Sequence, residues 1–230
     1  MALGAACITL ASCRMDRKAA TADSTRSEQD TAPGSAPGTR AVGGDTRGPI
    51  LFLGTSITAG YGLEPDSAFT QQIQRKIDST GLPFRVVNAG VSGETSAGLL
   101  RRLDWILQQP ARVIVVETGA NDGLRGQSVA VTQATIGKVL ATIRARRPEA
   151  RVALVQMEAL PNFGAEYTRA FHAMFPALAK EYRVTLLPFL LDRVAGFPSL
   201  NQADGIHPNY AGERIVAENV WRGLEPMLGR

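Results

Sequence analysis

Four short blocks of this sequence carry residue types that together could perform acyl transfer: Gly54-Thr55-Ser56, Asn88 to Gly93, Gly119-Ala120-Asn121-Asp122, and Asp204-Gly205-Ile206-His207-Pro208. Ser56 is a candidate nucleophile, because a hydroxyl attacks a carbonyl once a neighbouring base removes its proton. The chain holds only 2 histidines, His172 and His207, and His207 is the candidate base. Asp204 stands three residues earlier, placed to accept the other ring N–H and to fix the tautomer. Pro208 pushes His207 toward extended backbone and favours a first helical position, so the ring is expected at the cap of the last helix. A tetrahedral intermediate also needs donors aimed at its oxyanion. Gly93 can bring a backbone N–H close, Asn121 offers a side-chain amide, and Ser56 offers its own N–H.

Such residues need a frame that brings distant blocks to one place. Apolar, β-branched runs predict strands at residues 50–54, 84–90, 112–119, 151–157 and 184–189. Between them, apolar residues at three- and four-residue spacings predict helices at 67–80, 96–108, 129–147 and 165–182, with a last helix at 210–228. This alternation specifies an α/β fold, a parallel sheet covered by helices on both faces. Sites in such sheets form at the carboxyl ends of strands beside the switch in strand order. The first three blocks fall at such ends, and the fourth falls at a helix start.

Composition narrows the classes further. With 230 residues, 44% hydrophobic and 20% charged, the chain suits one globular domain. No apolar run approaches the roughly 18 residues of a spanning helix. The net charge of +4 is scattered, with no basic stripe interleaved with aromatics, so no nucleic-acid partner is expected. Both cysteines, Cys7 and Cys13, lie in the first thirteen residues, leaving the body without a disulfide framework, and two histidines make a zinc cage improbable, so no metal is expected. Residues 1–13 form a short apolar stretch whose Leu10-Ala11-Ser12-Cys13 resembles the lipobox of bacterial lipoproteins, a pattern in which the cysteine becomes the acylated N-terminus. That resemblance implies export to the periplasm or cell envelope and a membrane tether through Cys13. Residues 14–48 are rich in Ser, Thr, Gly, Ala, Asp and Arg and bury too little to order, so they are expected to be a disordered linker before a domain at 49–230.

Each block alone has a plainer reading: Ser56 a turn or cap serine, Gly93 a turn glycine, Asn121 and Asp204 turn or cap residues. Their joint occurrence in order, each at a strand end or helix start, favours a site. His172 sits in a helical pattern and is expected at a helix surface. Glu117 and Asp122 flank Asn121, where structural hydrogen bonding is favoured over an acid–base pair. Arg144, Arg146 and Arg147 end a helix and are expected in solvent. Leu160, Pro161 and Phe163, with residues 197–200, fall in loops that could line a substrate groove.

Ser56, Gly93, Asn121 and His207, in that order, resemble the signature positions of the SGNH (GDSL-type) hydrolase family. The stretches GYGLEPDSAF, VVNAGVSGETSAGLLRRL, ETGANDGLRG, LPNFGAEYTRAF and DGIHPNYAG resemble its arylesterase, lysophospholipase and acyl-CoA thioesterase I branch. The resemblance implies a flavodoxin-like three-layer α/β/α sandwich around a five-stranded parallel sheet. It also implies cofactor-free cleavage of a small-molecule or lipid ester through an acyl-enzyme, with no obligate protein partner. One departure stands out: the family usually has Asp before the nucleophile, where this chain has Thr55, so weaker support for the Ser56 loop is expected. Thr58 stands where a Gly-x-Ser-x-Gly elbow needs its second glycine, which argues against an α/β-hydrolase. Two alternatives remain open at this stage, a carbohydrate O-deacetylase of the same fold and a non-catalytic envelope lipoprotein that binds glycan or lipid.

Overall fold

The computed structural model describes residues 46–229. The candidate signal segment, Cys13 and the candidate linker up to residue 45 lie outside the described residues. Five strands, β1 (Gly48–Gly54), β2 (Phe84–Gly90), β3 (Val113–Val116), β4 (Arg151–Val155) and β5 (Thr185–Leu187), form one sheet. The strand order is β2-β1-β3-β4-β5 and every pairing is parallel. The chain leaves β1 toward β2 on one side and returns to β3 on the other, so the switch in strand order lies at β1, the position where α/β sheets hold their ligands.

Between and after the strands come α1 (Ser56–Ala59), α2 (Phe69–Thr80), α3 (Ser96–Ile106), α4 (Ala120–Leu124), α5 (Val129–Arg146), α6 (Ala165–Tyr182) and α7 (Tyr210–Leu228). Helices α3, α5 and α6 pack side by side on one face of the sheet, and α2 packs with α7 on the other. Ile50 to Leu53 and Val113 to Val116 are each at most 1% exposed, as expected of central strands covered on both faces. As an edge strand, β2 is only half-buried along most of its length. The expected third strand is shorter, ending at Val116, and the Glu117 side chain just beyond it reaches Thr55 and Thr58 after the end of β1. The expected helix at 67–80 begins at Phe69, after a 3-10 turn at Pro65–Ser67. There the Phe69 N–H donates to Glu213 Oε2 at 2.6 Å, so a side-chain carboxyl from α7 caps it.

Candidate active site

Immediately after β1 the chain turns into α1, and Thr55 occupies the N-cap position. A threonine there usually accepts from the first-turn amides. Here its side chain makes no cap bond. Its hydroxyl lies 3.0 Å from both Glu117 oxygens, its N–H donates to Glu117 Oε2 at 2.7 Å, and Thr58 Oγ1 donates to the same oxygen at 2.9 Å. Thr55 thus anchors the loop through Glu117 without a charge of its own. Glu117 is 1% exposed. Burial pushes its carboxyl up to about 7, against the lowering effect of these donors. With the Thr55 hydroxyl engaged, the Ser56 N–H makes no hydrogen bond among the described residues. Gly90, at the end of β2, lets this turn approach closely, since a Cβ there would lie 2.5 Å from Ala59 N.

The last block supplies the imidazole. Asp204 Oδ1 accepts from the N–H groups of Ile206 (2.9 Å) and His207 (3.0 Å), closing a tight turn. Asp204 Oδ2 lies 2.7 Å from His207 Nδ1, and His207 Nε2 lies 2.8 Å from Ser56 Oγ. The His207 N–H, ring and Ile206 N–H bonds hold the Asp204 carboxyl down at about 2, so it is ionised throughout the working range. The expectation that His207 sits at the cap of the last helix needs correction. Asn209 caps α7, its side chain accepting from the N–H groups of Ala211 and Gly212, and His207 lies two residues before it. An asparagine that satisfies two orphan amides outcompetes a ring that is engaged elsewhere.

Gly93 has φ +76 with nothing within 4 Å of where a Cβ would stand, so the left-handed turn favours glycine and keeps the approach open. Its N–H makes no hydrogen bond among the described residues. Asn121 lies in the short helix α4 and donates one amide proton to the Glu94 carbonyl at 3.0 Å, which orients the group and leaves the second proton unpaired. Ser56, Gly93, Asn121 and His207 all line one cleft of about 240 Å³. The structure therefore brings together every candidate catalytic and oxyanion residue.

The flanking residues take structural partners. Asp122 accepts from Ser96 N (2.8 Å) and Ser96 Oγ (2.6 Å), tying α3 to α4, while Glu117 serves the Ser56 turn. His172 is an exposed helix residue whose Nδ1 lies 2.7 Å from Glu158 Oε1. Arg147, expected in solvent, instead donates to the carbonyls of Leu107 and Gln109 and pins the end of α5 to that of α3.

A second, apolar cavity of about 390 Å³ adjoins the cleft, and Ile57, Ala120, Leu124 and Ile206 line both. Leu160 and Pro161, candidates for a groove, line this cavity with Met157 and Phe189. Phe163, also a candidate, packs instead against Tyr167, with ring centroids 5.3 Å apart. Two residues that spacing did not single out belong to the site. The Tyr61 ring lies over His207 with centroids 4.7 Å apart. Gln202 donates to the carbonyls of Tyr61 (2.8 Å) and Pro208 (3.0 Å), tying the serine loop to the histidine loop. Neither carries a motif; only the fold shows that these loops meet.

Residues 52–215 match the GDSL-like Lipase/Acylhydrolase family. The chain belongs to this family. Esterase TesA of Pseudomonas aeruginosa is 39% identical to it over 181 residues, covering 78% of this chain and 89% of that protein. The Escherichia coli K12 protein named thioesterase 1/protease 1/lysophospholipase L1 is 37% identical over 190 residues, covering 82% and 88%. Among solved structures, the psychrotrophic esterase EstA from Pseudoalteromonas sp., inhibited by monoethylphosphonate, superposes with a TM-score of 0.74 at 32% identity, covering 79% of this chain and 99% of that one. The five-stranded parallel sheet and its helices are the fold of these relatives.

Proposed function

We propose that this family member is a serine hydrolase that cleaves carboxylic esters of small molecules or lipids, with thioesters as further substrates, through an acyl-enzyme. The observation that carries this reading is the continuous line Asp204–His207–Ser56, with spacings of 2.7 and 2.8 Å, facing unpaired N–H donors across one cleft. Ser56 Oγ attacks the carbonyl carbon while His207 Nε2 takes its proton. Asp204 holds the tautomer and stabilises the imidazolium. The Ser56 and Gly93 N–H groups and Asn121 Nδ2 hold the oxyanion. His207 returns the proton to the departing alkoxide, and a water deprotonated by the same imidazole then releases the acid and restores Ser56. The names of the TesA and EstA relatives, esterases both, support this chemistry.

The apolar cavity beside the cleft supports an acyl group longer than acetate, and so favours the esterase reading over the deacetylase one. Burying a methylene contributes about 0.8 kcal/mol, which is about fourfold in kcat/KM per added carbon. A p-nitrophenyl ester series from acetate to palmitate, with Ser56→Ala as control, tests this. Activity is expected to climb by about that factor per carbon until the cavity is full. Activity on acetate alone would contradict the acyl assignment. Export, with a tether through Cys13 and a linker that runs from residue 14 to the start of β1 at Gly48 and so ends one residue earlier than expected, is proposed on the lipobox-like segment, and the mass of the mature N-terminus tests it.

A further inference from the structure

The two oxyanion donors outside the serine loop, the Gly93 N–H and Asn121 Nδ2, are tied to one another as well as to the sheet. The Val91 N–H donates to the Gly54 carbonyl at 2.9 Å, fixing the start of the 91–94 segment at the end of β1, and the Glu94 N–H donates back to the Val91 carbonyl at 3.2 Å, closing a four-residue turn. Gly93, its third residue, has φ +76 while Ser92 is outside the left-handed region, the combination of a type II turn. The direction of the Gly93 N–H is therefore built into the turn. Packing does not secure its place, because Val91, Ser92 and Gly93 are all exposed. A turn that buries so little is held only as well as its polar bonds hold it.

Those bonds converge on Glu94. Arg102 of α3 donates to both carboxylate oxygens through Nε and Nη2, each at 2.6 Å, and through Nη2 to the Ala89 carbonyl of β2 at 2.8 Å. The pair is partly buried, with side-chain exposures of 21% for Arg102 and 9% for Glu94, so salt screens it less than a surface pair. Gly98 makes the room: a Cβ there would lie 2.8 Å from Glu94 Cγ, so a glycine inside α3 lets the Glu94 side chain lie against the helix. The Glu94 carbonyl in turn accepts from Asn121 Nδ2 at 3.0 Å, the bond that orients that amide. Arg125 adds one exposed bond, to the Gly93 carbonyl at 3.0 Å. Glu94 thus reaches both donors through its own main chain, Gly93 by the peptide they share and Asn121 by a hydrogen bond. Resting on the hydrolase reading above, we propose that Glu94, locked by Arg102, is a positioning residue that sets the place of both donors. It touches no substrate and acts only through the Gly93 N–H and Asn121 Nδ2.

Glu94→Gln keeps the shape of the side chain but turns an amide donor toward a guanidinium N–H. Its kcat on p-nitrophenyl octanoate should fall about tenfold with KM within a factor of about two, short of the 10²–10³ that outright removal of a donor costs. The inhibition constant of octylboronic acid, whose tetrahedral adduct on Ser56 sets an oxygen against the same donors, should rise by the same factor; it does not depend on the fraction of protein that is folded. Arg102→Met should match Glu94→Gln, and the double variant should lose no more than either, since both break one contact. Arg101→Ala removes a charge from the same depression and none of these bonds, and should leave kcat and the inhibition constant unchanged. Unchanged kcat in Glu94→Gln and Arg102→Met, a loss confined to KM, an unchanged boronic acid constant, or additive losses in the double variant would overturn the assignment. An equal loss in Arg101→Ala would also overturn it, by tracing the effect to charge and not to contact. A wild-type protein that leaves the ester uncleaved would bring down the hydrolase reading itself, an outcome distinct from active but insensitive variants.

Discussion

Thr55→Val removes one hydroxyl from beneath the nucleophile with almost no change in shape, and its cost should depend on pH. The Thr55 hydroxyl reaches both oxygens of Glu117 at 3.0 Å, in a site where Thr55 is 2% and Glu117 1% exposed. With Glu117 raised to about 7, the bond is made to a neutral carboxyl at pH 5.5 and to a carboxylate at pH 8.5. A neutral hydrogen bond contributes about 0.5–1.5 kcal/mol and one to a charged group about 1.5–3 kcal/mol. The variant should therefore lose about 1 kcal/mol more stability at pH 8.5 than at pH 5.5. In a domain of this size that extra loss reads as a further drop in Tm of about 2–4 °C. Thermal unfolding of both proteins, followed by circular dichroism at the two pH values, measures it. Equal Tm losses at both pH values, or no loss at either, would refute the reasoning that Glu117 ionises against the Thr55 hydroxyl.

Two other outcomes follow from Glu213 and Asp204. Glu213 is 1% exposed, and burial raises its carboxyl to about 8, so the folded protein holds a proton there that the unfolded chain releases near 4.5. Stability should fall as pH rises from about 4.5 to about 8, and Glu213→Gln, which keeps an acceptor for the Phe69 N–H, should flatten that slope in urea titrations run across this range; an unchanged slope would count against it. Asp204→Asn keeps the Oδ1 acceptor for Ile206 and His207 N–H but no longer holds the imidazole tautomer, so kcat should drop by about 10²–10⁴ with Tm nearly unchanged. Activity within a factor of two of the wild type would remove Asp204 from the account.

The sequence made the frame legible where one force dominates. Ile50 to Leu53 and Val113 to Val116 are apolar on both faces because helices cover both, and three of the four blocks follow directly on such strands while the fourth precedes the last helix. It was less legible where tertiary contacts decide. Glu117 continues an apolar run and reads as strand, yet its side chain leaves the sheet to hold Thr55. Pro208 reads as a helix start, yet Asn209 takes the cap because its side chain accepts from two amides. Phe163 lies beside Leu160 and Pro161 in the chain, but its ring turns to Tyr167 and away from the cavity those two line. Tyr61 and Gln202 carry no spacing signal, since they touch His207 and the serine loop only when residues some 140 positions apart are folded together.

The central claim is that Ser56 Oγ, 2.8 Å from His207 Nε2, is an activated nucleophile. Incubation with a fluorophosphonate, followed by mass spectrometry of the peptides, tests it most directly. The account predicts one phosphonyl adduct on Ser56, absent in Ser56→Ala and formed far more slowly in His207→Ala. A folded wild-type protein that stays unlabelled, or a Ser56→Ala variant labelled as fast as the wild type, would contradict it.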